Sequence, residues 1–226
     1  MGRVRPFSSV GLLSSCQESH KTGAVNHHQV SKRRNLLVRN LLILGTGPHA
    51  CEMVDIVHRV NLAEQTWNLL GFIAKDQKTV GRELNGYKVI GTLDDIDRHP
   101  DACLTTDCDG PNWAGDVPRE RFISLIDPSV FVSRTATIGA GCVLYPGCFV
   151  GHNATLGDFV FCLSGCTINH DDVIDDCVTV ASRVTLAGAV HVESGCYMGQ
   201  SCTVRQFLKI GKGSLVGMGA VVVKDV

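Results

Sequence analysis

From Ile126 onward the chain places an aliphatic side chain at every sixth position: Ile126, Val132, Ile138, Leu144, Val150, Leu156 and so on to Val222. Seventeen successive hexads hold this register without an insertion. Fifteen of the seventeen positions are Ile, Leu or Val, with Cys162 and Met198 the exceptions. Four residues after each stands a smaller apolar residue, as at Ala136, Cys142, Cys148, Ala154 and Cys166. A helix turning about 100° per residue would scatter a six-residue repeat around its circumference. An ordinary strand would alternate by two and need turn signals between strands. One large and one small inward residue per hexad is the signature of a hexapeptide β-helix, with three hexads to a triangular coil. Residues three hexads apart are then predicted to lie above one another, about 4.8 Å apart.

Upstream the pattern changes. Residues 41–44 read as a strand buried on both faces that runs into Gly45-Thr46-Gly47-Pro48-His49-Ala50. Ala50, Val54 and Val57 then share one helical stripe. A strand, a glycine turn and a helix N-terminus make an anion site. Glycine lets the backbone approach a phosphate, and the N–H groups and dipole of the first turn favour negative charge. A tight turn without a ligand fits the same residues. Further strands are predicted at 69–74 and 102–105, a hairpin turn at Asn85-Gly86, and a short helix over 93–98. The stretch 107–118 is rich in turn residues. About eighty residues of α/β character is half of a full dinucleotide fold, which argues against an NAD enzyme. Residues 1–35 lack periodicity and read as a disordered tail or, being Arg- and Ser-rich, as an organelle transit peptide. The expected division is therefore 1–35 tail, 36–121 α/β domain and 122–226 β-helix.

Charge narrows the partners. Residues 1–40 hold seven Lys/Arg and one acid, whereas the remainder holds fourteen Lys/Arg and twenty-one Asp/Glu. A folded part so acidic argues against nucleic acid as a partner, and no apolar run is long enough to cross a bilayer. Of the eleven cysteines, six (142, 148, 162, 166, 196 and 202) occupy inward hexad positions. That favours core packing over disulfides or metal binding. Cys148 and Cys166 should stack, and the absence of CxxC spacing argues against a thiolate zinc site. A reduced, cytoplasmic setting and no metal are expected.

The inward small position is broken in Ile168-Asn169-His170-Asp171-Asp172-Val173, where it holds Asp172. A carboxylate left unpaired against an apolar core costs several kcal/mol or shifts its pKa upward, and violations of a consistent pattern cluster at functional sites. The same hexad carries His170 at a corner with Asp171 beside it. His152 and Gly188 stand one coil to either side in the same vertical line. An imidazole can take a proton from an amine or hydroxyl near neutral pH, and a carboxylate on its other nitrogen fixes the tautomer. A glycine N–H one coil away could stabilise an oxyanion. On spacing alone, a polar corner on a solvated edge is an equal reading.

The opening Gly45-Thr46-Gly47-Pro48-His49-Ala50 after a strand resembles that of the NeuD/PglD-type sugar acetyltransferases. So do the run from Leu84 to Asp95, Ile126-Asp127-Pro128-Ser129, Ile168-Asn169-His170-Asp171, Leu186-Ala187-Gly188 and the closing Gly219 to Val226. The resemblance covers about residues 36–226. It implies a small Rossmann-like α/β domain that binds a nucleotide-sugar, then a left-handed parallel β-helix of hexapeptide repeats. It also implies a homotrimer with acetyl-CoA in a groove between neighbouring β-helices. By position, His170 matches the general base, Asp171 its orienting carboxylate and Gly188 the N–H donor to the thioester oxygen. Gly45, Gly47 and His49 match the phosphate-loop positions, and Asn169 is a further substrate-binding candidate. The chain departs from the family at Leu163, where Asn is common, and at Thr179, where a second His is common. After Gly71-Phe72-Ile73 come Ala74-Lys75-Asp76 in place of two acids.

Two other readings belong beside this one. A zinc-dependent carbonic anhydrase on the same helix would carry an H-x4-H pair, but Asp175 follows His170 and Gly157 follows His152 at that spacing. A non-catalytic trimeric scaffold or decayed paralogue fits the departures at Leu163 and Thr179.

Overall fold

Seventeen two-residue strands, from Leu125–Ile126 to Val221–Val222, line up in three parallel sheets of six, five and six strands. The structure is a computed structural model that describes residues 38–107 and 115–226. The expected tail over 1–35 lies outside the described residues. In each sheet a strand pairs with the one three hexads later. Val150 faces Ile168, which faces Leu186, then Val204, then Val222. This is a parallel β-solenoid in the predicted register.

The inward residues form one continuous core. Leu144, Val150, Ile168, Val180, Leu186, Val192, Met198 and Val204 are fully buried, as are the small-position residues Cys142, Ala154, Val160 and Cys166. Each aliphatic side chain so buried is worth about 1.5–3 kcal/mol. Corners at residues 127–130, 145–148, 163–166 and 181–184 make a first edge. Corners at 133–136, 151–154, 169–172, 187–190 and 205–208 make the second, and those at 139–142, 157–160, 175–178 and 193–196 the third.

The α/β part begins with β1 (Arg39–Leu44), which leads through Gly45–Gly47 into α1 (Pro48–Ala63) and β2 (Trp67–Ala74). Pro48 suits the first helical position, where its missing N–H has no partner to lose. β3 (Glu83–Leu84) and β4 (Tyr87–Thr92) form the predicted hairpin, with Asn85 and Gly86 both at positive φ. A 3-10 helix covers Leu93–Arg98, closed by a capping box between Thr92 and Asp95, and β5 (Cys103–Thr106) completes the sheet. The order is β3-β4-β2-β1-β5, parallel except at the hairpin.

Within β1, residues 41–44 are buried on both sides, as their apolar run predicts. Leu41 and Ile43 face α1 and the solenoid, where they join Met53, Ile56, Leu125, Val143 and Phe161 in one cluster. Leu42 and Leu44 face Ile96, Leu104 and Phe122. α1 is also tied electrostatically to the first corner. The Arg59 guanidinium makes a two-pronged bond to Asp127, at 2.5 and 3.1 Å. Burial opposes the charge on Asp127, but bonds from Arg59 and from the Ser129 hydroxyl and N–H hold its carboxyl below the ordinary range. Arg119 pairs with Asp158 in the same manner on the third edge.

Candidate active site

Along the second edge the backbone ladder continues through the corners. The Asp171 N–H donates to the His152 carbonyl at 2.8 Å, and the Ala189 N–H to the His170 carbonyl at 3.0 Å. His152, His170 and Gly188 therefore stand in the vertical line expected from their spacing. The His170 ring meets the Asp171 carboxylate through Nδ1, at 2.9 Å. Its other nitrogen, Nε2, faces the next coil: a β-carbon added to Gly188 would stand 2.9 Å from it. The geometry thus brings all three residues together. With Nδ1–H held by the carboxylate, Nε2 is the nitrogen left to accept a proton.

Asp171 is better supported than the sequence suggested. Its second oxygen accepts from the Asn153 side-chain amide, one coil back, at 3.3 Å. The imidazole and then this amide hold its carboxyl below the usual range. Asn153 was missed in the sequence, although its place eighteen residues before Asp171 is a signal. His170 and Asp171 are open to solvent, with side chains 62% and 52% exposed.

Asp172 takes the inward position expected of it. It is fully buried, but it is paired. One carboxylate oxygen accepts the Asn169 N–H at 2.7 Å and the other the Val190 N–H at 2.8 Å. Burial still dominates and pushes the carboxyl up to about 6. Asn169, a predicted substrate contact, uses its side-chain amide to bond the Leu186 carbonyl of the next coil.

The buried cysteines behave as core residues. Among the described residues all are free thiols. Burial pushes Cys142 up to about 11, and the neighbouring Cys148 thiol together with burial pushes Cys166 up. Neither is poised as a nucleophile. Among the described residues no three His, Cys, Asp or Glu side chains come together in a way that could hold a metal ion.

The glycine turn lies elsewhere. Gly45 adopts φ +128, and a β-carbon there would stand 2.2 Å from a carboxylate oxygen of Asp107. The close approach that requires glycine is thus made by the chain's own acid. Gly47 caps α1 in an extended conformation. His49 in the first turn bonds Glu52 through Nδ1 at 3.2 Å, and its carbonyl accepts the Tyr145 hydroxyl at 3.1 Å. Between α1 and the first edge opens a cavity of about 300 Å³, lined by His49, Glu52, Asp55, Arg59, Ser164 and Ser182 among others. Leu163, one of the departures noted above, lines it too. The cavity and His170 therefore belong to different edges of the solenoid.

No protein-family model matches the chain, and no curated relative matches it in sequence. Solved structures do. The acetyltransferase domain of PglB from Neisseria gonorrhoeae FA1090 is 25% identical at a TM-score of 0.70, over 83% of this chain and 93% of that one. The same domain in complex with acetyl coenzyme A aligns at 24% identity and a TM-score of 0.70, over 84% and 93%. PerB from Caulobacter crescentus, in complex with CoA and GDP-perosamine, aligns at 22% identity and a TM-score of 0.72, over 84% and 92%. The chain shares the fold of these structures over nearly their full length.

Proposed function

We propose that the chain is an acetyl-CoA-dependent acetyltransferase acting on an amino or hydroxyl group of a sugar, with the sugar carried on a nucleotide. The observation that carries this reading is the His170 imidazole, held through Nδ1 by Asp171 with Nε2 turned to Gly188 one coil along. The solved structures that share the fold are acetyltransferases, and two of them hold acetyl coenzyme A or CoA.

In the proposed reaction His170 Nε2 takes the proton from the acceptor nitrogen or oxygen as that atom attacks the thioester carbonyl. Asp171 stabilises the imidazolium that forms. The Gly188 N–H meets the developing oxyanion, and collapse of the intermediate expels the CoA sulfur, which takes up a proton. The α/β part is read as a Rossmann-like nucleotide site and the solenoid as left-handed. The phosphates are read near Gly45, Gly47 and His49, at the positive end of α1. Because the cavity and His170 lie on different edges, a complete site calls for a second copy, which supports a homotrimer.

Thiol release from acetyl-CoA is the test, measured with UDP-, GDP-, dTDP- and CMP-linked amino- and hydroxy-sugars. Release with at least one acceptor, abolished by His170→Ala, is the expected result. A well-folded assembly that releases thiol with none and binds no acetyl-CoA by calorimetry would instead be a scaffold.

A further inference from the structure

One corner of the solenoid differs from all the others. In most corners the third residue adopts positive φ, as Asn153, Asp171, Ala189 and Phe207 do along the second edge. Gly188 is the one second-position residue of a corner with positive φ among the described residues, at +96, and Ala189 follows at +52. Two consecutive residues of that kind rotate the peptide units on either side of Gly188. In two corners of the same edge the N–H of the fourth residue closes the turn on the carbonyl three residues back, Ala136 onto Ser133 and Ala154 onto Gly151. In the Gly188 corner that N–H belongs to Val190, and it donates across the coil boundary to Asp172 at 2.8 Å.

Asp172 occupies a position that is Ala154 one coil before and Val190 one coil after, all inward and buried. A small apolar residue would fill that space at no desolvation cost, so packing does not explain the carboxylate. Its two oxygens reach both halves of the site at once. One takes the N–H of Asn169, immediately before His170, and the other takes the N–H of Val190, two residues after Gly188.

We infer that Asp172 is a positioning residue for acyl transfer: it clamps the His170 corner to the Gly188 corner and holds Gly188 in its rotated conformation facing the imidazole. It touches neither substrate nor reacting atoms. This rests on the proposed role of His170 and Gly188, but its physical content is separable from it.

The test uses the full chain with Asp172→Asn, which keeps the shape and one acceptor, and Asp172→Ala, which restores the residue of the coil before. Two readouts are taken. Amide hydrogen exchange, without any substrate, should accelerate at least tenfold at Gly188, Ala189 and Val190 in both variants, with Val173 and Ile174 unchanged. Thiol release from acetyl-CoA, with the fastest acceptor of the nucleotide-sugar panel, should lose kcat by tenfold or more in Asp172→Ala. The loss should be smaller in Asp172→Asn, with the KM for acetyl-CoA within twofold of the parent. Should Asp172→Ala fail to fold, Asp172→Asn carries both measurements. Exchange at 188–190 unchanged, or kcat within twofold of the parent in both variants, would overturn the clamp. Were the parent itself to release no thiol, the acetyltransferase reading would fall while the exchange result still decided the clamp.

Discussion

His152 and His170 occupy the same place in successive coils, yet only one faces a carboxylate and a glycine. The His152 ring meets the Thr135 hydroxyl through Nδ1 at 2.9 Å, a neutral partner that also accepts the Asn153 N–H. The His170 ring meets a carboxylate, and the coil ahead of it turns its corner on a glycine. Ahead of His152 the equivalent corner carries His170 itself. A periodic scaffold offers many identical positions, and what separates His170 from His152 is the charge of its partner and the space left by the next coil.

Replacing the two histidines in turn should break that comparison most sharply. His170→Ala is expected to lower kcat by about 100-fold or more, the usual scale for a lost general base, while His152→Ala stays within about threefold. Thiol-release kinetics on the two variants checks this. Gly188→Ala comes next. Its added β-carbon would crowd Nε2, and an ångström-scale misplacement at a reacting centre can cost about 100-fold. The left-handed backbone adds about 1–2 kcal/mol of destabilisation, visible in Tm. Asp171→Asn turns the His170 partner into a neutral one like that of His152. A fall of about tenfold in kcat, equivalent to about 1.4 kcal/mol, is expected, and Thr135→Val should leave kcat unchanged. Asn153→Ala removes one exposed hydrogen bond to Asp171, for a change of about twofold in kcat.

The smallest effect is on stability. Burial raises Asp172 from an ordinary value of 3.8 to about 6, so the native state binds that proton more tightly than the unfolded chain. Protonation therefore adds stability as pH falls through about 6, and the ionised form above it is the less stable one. Relative to Asp172→Asn, the Tm of the parent should rise between pH 7 and pH 5 and stay level above pH 7, as a thermal-unfolding series would record.

Much of this was open to a reader of the residues alone. The hexads dictate the inward columns, because one large and one small apolar residue per six fit only a three-sided coil. Counting by eighteen brings His170 to Gly188. The α/β strands followed from apolar runs and the Asn85-Gly86 turn. Other features depend on side-chain directions that no periodicity encodes. The partners of Asp172 are hidden from the pattern because its donors are backbone N–H groups of two different coils. The Arg59–Asp127 bond joins residues 68 apart in the chain, and the approach of Asp107 to Gly45 arises where β5 ends beside β1. Contacts of that kind are set by tertiary packing.

Within the solenoid each coil packs only on the coil before and the coil after it. An innovation such as a buried acid can therefore be tried at one storey without repacking the storeys beyond its neighbours. A lineage built on this plan can rewrite a single rung of chemistry while the rest of the column goes on holding it upright.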